Sequence, residues 1–193
     1  MRRILRLLAC GAVVLSLVAC TPTGRAVGDT QDSMPSIAHD STHKTDITVG
    51  FVGSTDTATD KKAIDALADD TLNVYYASLD TSGDSETADK IAATAQQGVT
   101  DFVDRAVKIV IISGIDVTDA NRDSWNQALT NAREAGIPVA LLNPKHAPED
   151  ELLYAAVLNT DDAASAQSVS IADAVITIAR DEPHDRTIAV ATE

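Results

Sequence analysis

The run Lys108-Ile109-Val110-Ile111-Ile112 constrains this chain more than any other segment. Four β-branched residues in succession leave no polar position for a solvated face. A strand of that kind must be covered on both sides, as the strands of parallel sheets are. Its surroundings agree, because strand-like and helix-like stretches alternate along the chain.

Ile47 to Val52 and Leu72 to Leu79 are expected strands, and Thr57 with Asp60 marks a helix start between them. Ala88, Ile91, Ala92, Ala95, Val99, Phe102, Val103 and Ala106 recur at spacings of three and four, the period of one buried helix face. A further helix from about Asp119 carries Trp125, Ala128, Leu129 and Ala132 on one side, and Gly136 and Pro138 end it. Val139 to Leu142, Leu153 to Leu158 and Thr187 to Val190 are three more strands. A helix from Asp161 to Arg180, with Ala164, Val169, Ala172, Val175 and Ile176 inward, fills the last gap. Strands alternating with helices predict an α/β fold: a doubly wound parallel sheet in a three-layer α/β/α sandwich. In such sheets ligands sit beyond the carboxyl ends of the strands.

The beginning of the chain has a different character. Arg2, Arg3 and Arg6 precede a short apolar run from Leu7 to Ala19, the pattern of a secretory signal rather than a spanning helix. Leu17-Val18-Ala19-Cys20 looks like a lipobox, so residues 1–19 are expected to be removed and Cys20 to carry a lipid anchor. Cys10, the other of the two cysteines, lies in the removed part, which leaves no thiol for a disulfide, a metal or catalysis. Residues 20–46 are small and polar, without apolar period, and are expected to form a flexible tether. The folded domain is expected over 47–193. The implied location is the extracytoplasmic face of the cell membrane.

The formal net charge of −14 repels phosphate backbones, so nucleic acid is excluded as a partner. No GxGxxG follows the first strand, the stretch from Gly50 to Gly53 lacks the Lys-Ser/Thr of a phosphate loop, and no GxSxG elbow occurs. Asp80, Asp84 and Glu86 are too few for a calcium loop. Asp161-Asp162 is an ordinary helix-start pair. His39 and His43 belong to the tether, and His146 and His184 to proline-containing loops with no evident partner. No enzyme, metal or cofactor is expected.

From Ile47 onward, the sequence resembles the first half of a sugar-binding protein of the ribose or galactofuranose type. These are the type 1 periplasmic binding proteins that serve ABC importers. The likeness is carried by Ile47-Thr48-Val49-Gly50-Phe51-Val52-Gly53, by Asp101-Phe102-Val103 leading into Val107 to Ser113, and by Trp125. The run Ala132-Arg133-Glu134-Ala135-Gly136-Ile137-Pro138-Val139-Ala140-Leu141-Leu142-Asn143 follows, then Leu153-Tyr154 and Asn159-Thr160-Asp161-Asp162.

The resemblance implies a solute-binding lipoprotein of a carbohydrate importer, with a sugar as ligand and a membrane permease as partner. It implies ligand contacts at the strand ends, from Ser54, Asp56, Ser113, Asp116, Asn143, Lys145 and Asp161. The departures favour a second reading, a non-transport surface lipoprotein on the same scaffold. Asn143-Pro144 stands where the family carries Asp-Arg, and Lys145 only partly replaces the guanidinium. Thr57, Ala58, Thr59 and Asp60 stand where it presents aromatics, and Ser113 where Asn is common. Trp125 is expected to be packing rather than a stacking platform. The family also has a second lobe, whose first strand Thr187 to Val190 resembles. On that expectation the strand has little sheet to join in the first lobe.

Overall fold

The computed structural model describes residues 24–31, 43–79, 87–161 and 167–192. The signal segment and Cys20 lie outside them, as do His39, Asp80, Asp84, Glu86, Asp162 and Ala164. Strand β1 (Thr48–Val52) leads through helix α1 (Thr57–Asp69) to β2 (Asn73–Ala77). Helix α2 (Ala88–Asp104) precedes β3 (Ile109–Ser113), and α3 (Arg122–Glu134) precedes β4 (Val139–Leu142). Then follow β5 (Ala156–Asn159), the two-residue β6 (Val169–Ser170), helix α4 (Ile171–Ala179) and β7 (Thr187–Ala191).

Every pairing is parallel, in the order β2-β1-β3-β4-β5-β7-β6. The period-two alternation of strand side chains builds two cores from one sheet. Val49, Phe51, Ile109, Ile111, Ala140 and Leu142 face α1 and α4, where Leu67, Ile171 and Val175 meet them. Val52, Val110, Ile112, Val139 and Leu141 face α2 and α3, against Val99, Phe102, Trp125 and Leu129. All five residues of β3 are buried, as its sequence requires. Each large side chain buried in this way contributes about 1.5–3 kcal/mol. The expected three-layer doubly wound sheet is the observed one.

Close approach explains Gly50 in the middle of β1. A Cβ there would lie 2.5 Å from Cγ of Phe102, so the glycine lets α2 settle against the sheet.

Several boundaries differ from expectation for local reasons. Helix α1 is capped by Asp56, not Thr57, because the Asp56 carboxylate accepts the Thr59 N–H at 3.2 Å. Asp60, three residues into the helix, is buried and bonds Ser54 instead. Helix α3 begins at Arg122 rather than Asp119, since Asn121 closes the preceding turn by accepting the Thr118 N–H at 2.8 Å. Leu153 ends a short 3-10 turn (Glu151–Leu153), and the strand starts at Ala156. The last helix starts at Ile171, ten residues later than expected, where Ser170 Oγ accepts the Asp173 N–H at 2.9 Å. Val169, expected to face inward on that helix, belongs to β6 and is 41% exposed.

Two larger differences concern the ends of the domain. Strand β7 does find a sheet: Val157, Leu158 and Asn159 of β5 register with Thr187, Ile188 and Ala189. The strongly apolar α4 packs into the same core as α1 and thereby carries β7 to the open edge of β5. Residues 24–31, expected as tether, are seated on the domain, with Ala26, Gly28, Asp29 and Thr30 buried.

Candidate ligand-binding site

Strands β1 and β3 are neighbours although β2 lies between them in sequence, so the sheet's winding reverses there. The loops leaving two such strands diverge to opposite faces and open a crevice at their carboxyl ends. A cavity of about 130 Å³ occupies that position. Gly53, Ser54 and Thr55 from the end of β1 and Ser113 to Asp116 from the end of β3 form one side. Ala88, Ile91, Ala92 and Ala95 of α2, with Trp125 of α3, form an apolar wall.

Four of the seven expected residues line this cavity: Ser54, Ser113, Asp116 and Lys145. Ser113 is 5% exposed. Asp116 is held in place from two directions. Its backbone carbonyl accepts the Asn121 Nδ2–H at 3.1 Å, and Nδ1 of His146 stands 2.7 Å from its Oδ1. His146 therefore has a partner after all, brought in by a parallel bridge between residues 116 and 146. That bridge also explains how Lys145, which leaves β4, reaches the cavity: its N–H donates to the Ile115 carbonyl at 2.9 Å.

Ser54 is engaged by the loop itself. Its N–H donates to Asp60 Oδ2 at 2.6 Å, its hydroxyl donates to Asp60 Oδ1 at 3.0 Å, and Oγ accepts the Asp56 N–H at 3.0 Å. This arrangement fastens the β1–α1 turn at the mouth of the cavity.

The other three expected residues lie elsewhere. Asp56 is the cap of α1, exposed, and its carboxyl is held below the usual 3.8 chiefly by the Thr59 hydroxyl at 2.7 Å, then by the Thr59 N–H. Asn143, in the left-handed region at φ 46°, is paired with Thr160 twice. Its Nδ2–H donates to Thr160 Oγ1 at 2.7 Å and its Oδ1 accepts the Thr160 N–H at 2.9 Å. Asp161 is exposed, and its N–H donates to Asn159 Oδ1 at 2.9 Å. These two residues follow β4 and β5, one and two strands beyond the crevice.

Sequence reasoning missed Ile91, Ala92 and Ala95 as lining residues because their helical spacing assigns them to the core. The signal that marks them is position: the stripe runs to the amino end of α2, above the ends of β1 and β3. Trp125 is 2% exposed, packs in the core and also lines the cavity. Among the described residues, no group of three or more His, Cys, Asp or Glu is placed to hold a metal. No described helix is long and apolar enough to cross a membrane.

No protein-family model matches the chain, and no curated protein matches it. Among solved structures, a protein from Mycobacterium smegmatis in complex with β-D-fucofuranose is 18% identical, with a TM-score of 0.48 over 63% of this chain and 37% of that one. A galactofuranose binding protein is 16% identical, with a TM-score of 0.46 over 74% of this chain and 56% of its own. The periplasmic binding protein component of the arabinose ABC transporter from Shewanella sp. ANA-3, bound to α- and β-L-arabinofuranose, is 15% identical. Its TM-score is 0.42 over 74% of this chain and 54% of its own. The chain thus spans between about a third and somewhat over half of the length of these structures.

Proposed function

We propose that this chain is a membrane-anchored solute-binding lipoprotein that takes a single sugar ring at the carboxyl ends of β1 and β3 and serves a carbohydrate ABC importer. The observation that carries this reading is the cavity at the switch point of the sheet. Its volume, about 130 Å³, is below the roughly 150 Å³ of a cavity that holds benzene, so it admits no more than one ring. Its two kinds of wall suit a sugar. Ser113, Asp116 and Lys145 offer a hydroxyl, an acceptor and a charged donor to hydroxyl groups that both give and take hydrogen bonds. Ile91, Ala92, Ala95 and Ile115 offer an apolar surface to the C–H face of a ring.

The chain is proposed as a binder and not an enzyme. Ser54, the hydroxyl at the end of β1, is hydrogen-bonded within its own loop. Anchoring through Cys20, at the extracytoplasmic face, rests on the lipobox, and delivery to a permease rests on the family resemblance. The Asn143–Thr160 pairing favours the second reading, a surface lipoprotein without transport, because it withdraws one expected ligand group.

Trp125 is the sole tryptophan and lines the cavity, so its emission reports occupancy. Titration with pentoses, hexoses and short oligosaccharides, followed by emission and by calorimetry, is expected to give saturable one-site binding for at least one sugar. No heat and no emission change with any of them would overturn the sugar reading.

A further inference from the structure

Residues 24–31 connect two parts of the molecule that the sequence keeps far apart. Gly28, at φ +78°, lies so close to Pro138 that a Cβ would stand 2.7 Å from its Cβ, and 3.2 Å from Cγ2 of Ile178. The Gly28 carbonyl accepts the His184 Nε2–H at 2.7 Å, and the Gln31 carbonyl accepts the His184 N–H at 3.1 Å. Thr30 Oγ1 donates to the Glu182 carbonyl at 2.5 Å. Asp29, 4% exposed, is ion-paired with Arg186, and the Arg25 carbonyl accepts an Arg133 guanidinium N–H at 3.2 Å.

All these partners lie at one end of the sheet. Pro138 and Arg186 immediately precede β4 and β7, Arg133 is in the last turn of α3, and Ile178 and Glu182 are at the end of α4. They mark the amino ends of the strands. The cavity lies at the carboxyl ends, about 15 Å away along five-residue strands.

We propose that residues 24–31 are a clasp that makes the chain leave the domain at its base, so that anchoring at Cys20 presents the cavity away from the membrane. The proposal rests on the anchoring reading given above. Four residue steps separate Cys20 from Gly24 and reach at most about 14 Å. A free tether over residues 20–46 would let the domain tumble. A clasped one holds its base against the bilayer and turns the crevice outward.

The test uses the full chain, expressed with its own leader and reconstituted in phosphatidylcholine vesicles carrying a headgroup acceptor dye. With Cys20 acylated, an introduced cysteine is the only free thiol. Asp119→Cys, in the turn before α3, places a donor dye near the cavity, and Glu134→Cys, at the last residue of α3, places one at the base roughly 20 Å away. Energy transfer to the lipid is expected to be several-fold stronger from position 134 than from 119. Equal transfer, or stronger transfer from 119, would overturn the proposal.

Thr30→Val, which removes one clasp bond and spares the core, is expected to narrow the difference, and Asp29→Ala to abolish it. If mass spectrometry finds no acyl group on Cys20, the anchoring reading fails by itself. Amide exchange then decides the clasp on the unlipidated protein. Slow exchange of the buried Asp29 and Thr30 amides that Asp29→Ala accelerates supports it, and fast exchange in the unmodified chain overturns it.

Discussion

Arg186 holds Asp29 in an ion pair although 157 residues separate them along the chain. The same guanidinium lies over the Tyr154 ring, 4.5 Å from its centroid, and donates to the Glu151 carbonyl at 2.6 Å. One side chain thus joins the clasp, the 3-10 turn before β5 and the start of β7. Asp29 is almost wholly buried, so removing its partner would strand a carboxylate. Arg186→Ala is expected to lower unfolding stability by about 3 kcal/mol, measured by urea denaturation. A loss below about 1 kcal/mol would mean that the pair is only a surface contact.

The cap of α1 gives a prediction in pH. The Thr59 hydroxyl and N–H favour the charged form of Asp56, so its folded value lies below the ordinary one. The cap's contribution is then present above the unfolded value and is lost as pH falls through the lower folded value. Carboxyl carbon shifts followed by NMR are expected to place the Asp56 midpoint below 3.8, and Thr59→Ala to move it upward. An unchanged midpoint in the variant would contradict the assignment.

How much of this was legible in the sequence depends on the range over which each feature is decided. Strands β3 and β4 are runs of apolar residues, and a run needs no partner to be recognised. The stop of α3 at Gly136 is equally local, and the glycine stands at φ +72°. The start of α4 is hidden in the sequence because Val169 keeps helical spacing with Ala172 and Val175, while the cap at Ser170 cuts the pattern. The cavity lining is half legible: the switch from apolar to polar marks every strand end alike, and only strand order selects the ends that meet. Hence Ser113 and Asp116 reach the cavity, whereas Asn143 and Asp161 follow strands on one side of it. The clasp was not legible at all, because its small polar residues gain their order from partners more than a hundred positions away.

Packing of α2 on the sheet depends on Gly50. Gly50→Ala places a methyl against the Phe102 ring and is expected to cost about 1–3 kcal/mol. Phe102→Leu in the same chain is expected to recover part of that loss, so the double variant falls short of additivity in thermal unfolding. Strict additivity would show that the two positions do not press on each other.

Asn143 is expected to matter for stability and not for binding. Asn143 is occupied by Thr160, so Asn143→Ala should leave sugar affinity within about threefold while lowering stability by about 2–4 kcal/mol for the two lost hydrogen bonds and for an alanine in the left-handed region. Calorimetry of this variant against the parent checks it, and a tenfold loss of affinity would return Asn143 to the site.

The cavity between β1, β3, α2 and α3 is proposed as the place where this protein holds its ligand. Ala92→Leu adds three carbons to the α2 wall that lines it. Titration of this variant and of the parent with the best-bound sugar, read by Trp125 emission, decides whether the cavity holds it. Binding is expected to saturate in the parent and to be at least a hundredfold weaker in Ala92→Leu, with cooperative thermal unfolding retained in the variant. Equal binding by both chains would contradict it.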